Sequence, residues 1–133
     1  MKFVIAAVLF AHGIGHVMGP LQVFKVAVIN PAWAGDSWLL TGAGGQTLGQ
    51  AIGMVLWMTA LVGFVAAAAV VMGWLPVTWW VPLAVVSSIA SLAAIGLFPT
   101  AFPTFSTIGA LVVDVVVLAA VLWSQWAPSD LAA

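Results

Sequence analysis

Charge is almost absent from this chain, and that absence limits what it can fold into. Only Lys2, Lys25, Asp36, Asp114 and Asp130 carry a formal charge among 133 residues, against 65% hydrophobic side chains and a mean hydropathy of +1.30. A water-soluble domain carries roughly a quarter charged residues to coat its surface. This chain has too few, so its outer surface is expected to face lipid.

The apolar residues gather into four stretches, at about 3–24, 46–73, 79–98 and 105–126. Each is near the ~20 residues that a helix needs to cross the hydrocarbon core. In lipid the backbone must satisfy its own polar groups, which only helices and closed barrels do. None of the four stretches alternates with period two, so the expected fold is all-α, an integral membrane four-helix bundle in a single domain. Met1-Lys2 followed by Phe3 to Ala11 has the outline of a signal peptide. No polar domain follows it, and it is read as a retained first span.

The connections fit that reading. Trp74-Leu-Pro-Val-Thr-Trp-Trp80 makes a tight turn, with Pro82 in the first turn of span three. Pro99-Thr-Ala-Phe-Pro103 breaks the chain before span four. The first connection, Lys25 to Gly45, is long for a helix–helix link and is expected to form an interfacial segment or a lid. Trp74, Trp79, Trp80, Trp123 and Trp126 should form an interfacial belt at one face, with Trp33 and Trp38 at the other and Trp57 deep between them. Lys2 and Lys25 fall on opposite sides, so the positive-inside count does not choose an orientation. Gly15 with Gly19, Gly45 with Gly49 and Gly53, and Ser87 with Ser91 carry the four-residue small-residue spacing that brings helices close in lipid.

Two lysines are too few for the electrostatic footprint of a nucleic-acid binder or for a polybasic lipid patch. Without cysteine there are no disulfides, iron–sulfur clusters or thiolate zinc sites. Chemistry then rests on His12, His16 and Asp114. At 1.5 Å per residue, His12 lies about 14 Å and His16 about 20 Å into span one. Asp114, on a span running the other way, lies about 18 Å from the same side. Ser88, Ser91 and Thr59 fall at similar levels, with Gln50 nearer the far face. Pro20 lacks the N–H that would bond the His16 carbonyl, which predicts a kink there and a freed carbonyl.

Three readings of this layer follow. Imidazoles and carboxylate can clasp one another and hold the bundle in register, a contribution of roughly 0.6–2 kcal/mol per polar contact. They can bind a cofactor: His12 and His16, one turn apart, with Asp114 as third metal ligand, suit iron(II), zinc or copper, or one histidine can hold a haem or chlorophyll-type pigment. They can also relay protons. The serines and histidines lack the nucleophile elbow that serine catalysis uses. A lipid-soluble substrate would enter under the first connection. If the layer is purely structural, the chain is expected to be an accessory subunit packing its Gly and Trp faces on other membrane proteins or on copies of itself.

The order of parts resembles the DoxX-like group of small four-helix bacterial membrane proteins. The likeness is carried by Ala11-His-Gly-Ile-Gly-His16, the long polar connection after it, and Leu48-Gly-Gln-Ala-Ile-Gly53 opening span two. Gln50 stands where an acidic residue is more typical of that group, and the histidine pair is not its hallmark. The chain also resembles bacterial four-span proteins with His-Gly-x-x-His near the start. The resemblance implies a multi-pass bacterial inner-membrane protein associated with redox or respiratory systems.

Overall fold

The computed structural model describes residues 1–131 and contains, among them, five α-helices and no strand. These are α1 (Lys2–Gly15), α2 (Met18–Val23), α3 (Leu40–Met72), α4 (Trp80–Leu97) and α5 (Thr104–Leu122). Taking α1 and α2 as one broken rod, four helical segments are long and apolar enough to cross a membrane. Outward faces are apolar throughout, with Phe105 89% and Trp123 90% exposed. Such a surface is stable against lipid and not against water.

The first span is interrupted between Gly15 and Met18, next to the kink expected from Pro20. Pro20 has no N–H to offer the His16 carbonyl one turn back, and the disturbance appears at His16–Val17. There the helix tightens: His16 N–H bonds the Gly13 carbonyl and Val17 N–H the Ile14 carbonyl, each at 3.0 Å. The His16 carbonyl is not left free, because Gly19 N–H reaches it at 3.2 Å. Span two begins earlier than expected, at Leu40, and bends at Gly45, whose φ of 84° and ψ of 167° interrupt the helix. Span four ends at Leu122, short of the expected 126; Gln125 then turns with a positive φ of 50°.

The long connection does structural work before α3 starts. Helix ends leave carbonyls without partners, and here Trp38 Nε1–H bonds the Gly96 carbonyl at 2.7 Å and Ser37 Oγ–H the Leu97 carbonyl at 2.8 Å. Gln22 and Asn30 donate to the carbonyls of Ala101 and Thr100, which pins the α4–α5 turn to the same layer. At the other face Trp80 turns inward, against expectation for a belt residue, and donates Nε1–H to the Trp126 carbonyl at 2.9 Å.

Helix α3 is the central rod, packed against α1 on one side and α4 on the other, with α5 on α4. Small residues make this possible. A Cβ on Gly13 would come within 3.0–3.1 Å of Phe64 Cβ and the α3 backbone, and one on Gly63 would sit 2.7 Å from Ser87 Cβ. Of the glycines predicted to line seams, Gly19, Gly49 and Gly53 are buried at contacts, while Gly15 faces open space. Helices α1 and α5 touch only sparsely. Gly63→Val should therefore force α3 from α4 and destabilise the protein by about 1–3 kcal/mol. Gly109→Ala, with no neighbour within 4 Å, should not lower the unfolding temperature; reversible denaturation in detergent compares them.

Candidate functional site

Asp114 is fully buried on α5, and its carboxylate accepts at both oxygens. His12 on α1 donates from Nε2 to Oδ1 at 2.9 Å, and Ser91 on α4 donates from Oγ to Oδ2 at 2.5 Å. Three helices thus meet on one carboxylate. A carboxylate stripped of water is costly, and charge-assisted hydrogen bonds of this kind compensate for the lost hydration. The contact also ties α1 to α5 across a seam that has little other packing.

His16 is placed differently. It is buried, and its Nε2 has no hydrogen-bond partner. Phe64, from α3, sets both imidazoles: its ring meets His12 edge-on at 4.4 Å between centroids and lies parallel to His16 at 6.3 Å. The two histidine rings stand edge to face, 5.1 Å apart. So the structure brings His12 and Asp114 into contact and holds His16 beside His12 without joining it to the carboxylate.

The three-ligand metal set expected from sequence is not assembled in this arrangement. Among the described residues, no group of three or more histidine, aspartate or glutamate side chains is placed to hold an ion. Asp114 instead bonds His12 and Ser91, and His16 is not joined to it. Of the other polar residues expected in the layer, Ser91 joins it. Ser88 is buried with Oγ unpartnered. Gln50 donates instead to the Gly35 carbonyl in the first connection. Thr59 lines a shallow groove on the outer side of α3 and α4.

Beside the clasp lies a cavity of about 210 Å³, in the gap that α1 and α5 leave between them. Ala11, His12, Gly15 and His16 form one wall and Thr107 and Ala110 the opposite one, with Ala94 and Trp57 at the back. Gly15 contributes room, since a Cβ there would meet nothing within 4 Å. Trp57 is fully buried, pressed so closely on Gly19 that a Cβ there would overlap its ring, and its Nε1 also lacks a partner. Two residues of the wall, His16 and Trp57, thus each carry a buried side-chain nitrogen without a partner. Phe64 and the Trp57 wall were not legible from sequence as parts of the site, since aromatic residues at helical spacing look like core.

Compared with family models, curated proteins and solved structures, the chain matches none.

Removing one partner of a buried hydrogen bond leaves the other unsatisfied, at a cost of about 1–3 kcal/mol. His12→Ala should destabilise the protein by that order and the double change His12→Ala/Asp114→Ala by less than the sum. A double-mutant cycle in detergent unfolding measures this coupling.

Proposed function

We propose that the chain is an integral membrane protein of the bacterial cytoplasmic membrane that binds a small lipid-soluble ligand in the cavity between α1 and α5. The observation that carries this reading is the buried His16 Nε2 without a partner, on a residue lining that cavity. A buried polar atom left unpaired costs roughly 1–3 kcal/mol, and native proteins rarely leave one without a reason. A ligand that offers an oxygen or an N–H pairs such atoms on binding.

Size and lining narrow the class. An engineered apolar cavity of about 150 Å³ takes a benzene ring, so about 210 Å³ suits a substituted ring of the quinone type. Carbonyl oxygens on such a ring accept from an imidazole or indole N–H, and its faces suit the aromatic wall of Trp57 and Phe102. Gaps between sparsely packed helices give lateral access from lipid. The resemblance to DoxX-like proteins points to the same redox setting.

A bound iron, zinc or copper ion, or a haem, is the second reading, favoured by the 5.1 Å spacing of the two imidazoles. It would use His16 with His12, and Asp114 would orient His12 as carboxylates orient metal-bound histidines.

Titration of the detergent-purified protein with a short-tailed benzoquinone, followed by calorimetry, tests the first reading. Saturable binding is expected, weakened about tenfold by His16→Ala and abolished by Gly15→Leu, which builds into the cavity. Gly15→Leu should unfold near the parent temperature, since a Cβ there meets nothing within 4 Å, whereas His16→Ala also removes a buried ring beside Phe64 and should lower it modestly. Equal affinity in parent and His16→Ala would sink the reading. Stoichiometric metal or a visible band lost in the same variant would move the conclusion to the second.

A further inference from the structure

A second hollow, of about 630 Å³, lies under the first connection, at the opposite end of α2 from the histidines. Gln22, Lys25, Asn30, Gln46 and Gln50 line it together with Trp33. Its walls are held by side-chain amides. Gln22 Oε1 accepts from the backbone N–H groups of Ile29 and Asn30, while Gln46 and Gln50 donate to the carbonyls of Ala34 and Gly35. Each of these last two amides uses one N–H, which leaves a second N–H and an oxygen for something else.

Lys25 is the unusual member. It caps α2 in the left-handed conformation, φ 57°, with Val26 N–H reaching back to the Leu21 carbonyl at 2.8 Å. Glycine is the residue this position ordinarily takes, because a Cβ is strained there. Among the described residues no carboxylate lies within ion-pairing distance of this ammonium. A lysine in a glycine's place, unpaired and on the wall of an amide-lined hollow, is explained if its side chain is needed. One ammonium makes no electrostatic patch; in a pocket it recognises a single anion.

We propose that the Lys25 pocket binds the headgroup of an anionic, hydroxylated phospholipid, with the ammonium and amide N–H groups on the phosphate and the amide oxygens on the hydroxyls. The pocket sits at the end of the helical segments, with Trp33 in its wall, where headgroups lie. A lysine beside lipid phosphate contributes on the order of a fivefold gain in affinity. This site is separate from the His16 cavity and does not rest on its occupant.

Native mass spectrometry of the full chain in detergent, titrated with phosphatidylglycerol or phosphatidylcholine of equal chain length, tests it. The expected result is a preference of about fivefold or more for phosphatidylglycerol, lost in both Lys25→Gln and Lys25→Gly and retained in Lys25→Arg. Lys25→Gly is the decisive variant, because it suits the positive φ and so keeps or raises stability while removing the ammonium. A preference that survives Lys25→Gly, or no preference in the parent, overturns the proposal. Glycerol phosphate binding as tightly as the whole lipid overturns the lipid as source in favour of a soluble phosphate ester.

Discussion

The close approach of α1 and α4 to the central helix α3 is the contact on which the rest of this molecule depends. In lipid, apolar side chains gain little by leaving one neighbour for another, so helices associate through tight packing and a few polar bonds. Gly13 against Phe64 and Gly63 against Ser87 supply the tight packing. Once α3 holds α1 and α4 at backbone contact, α5 follows on α4, and α1 and α5 are left facing each other across a gap. That gap is the cavity.

The clasp on Asp114 makes sense in that frame. A carboxylate at such depth costs roughly 2.5–3.5 kcal/mol to insert, more than one interhelical hydrogen bond returns. Two bonds from His12 and Ser91, drawn from two different helices, bring the account nearer balance and fix how α1, α4 and α5 are rotated. The clasp closes the seam beside the cavity and leaves His16, one turn along, unpaired in its wall. Pro20 has a hand in this, since the tightened turn at His16–Val17 redirects the chain just past the imidazole. His12 thus joins the clasp, and His16, four residues on, stays outside it.

The amide-stitched connection plays the same part at the far end. Ser37 and Trp38 satisfy carbonyls that α4 leaves open, while the amides of Gln22, Gln46 and Gln50 hold the walls of the hollow at Lys25. A polar segment at the end of apolar helices has little hydrophobic reason to be ordered. Here its order comes from Gln22, Asn30, Ser37 and Trp38, each bonded to a carbonyl across the turn.

Much of the architecture was legible because it follows from local chemistry. Runs of apolar residues with no period of two are helices if they meet lipid, Pro99 and Pro103 must interrupt them, and depth counting alone put Asp114 between the levels of His12 and His16. Boundaries drifted where backbone satisfaction depends on distant partners: Ser37 and Thr41 help start α3 before the Gly45 bend. The sequence by itself determined the number of long helices and the level of the polar layer, since rise per residue is constant. Only the tertiary structure decided that Asp114 takes His12 and Ser91 rather than His16, and that Gly15 opens onto a cavity while Gly13 is packed shut. Helix rotation settles both, and rotation is set by which small residues touch across the seams, a property no single span contains.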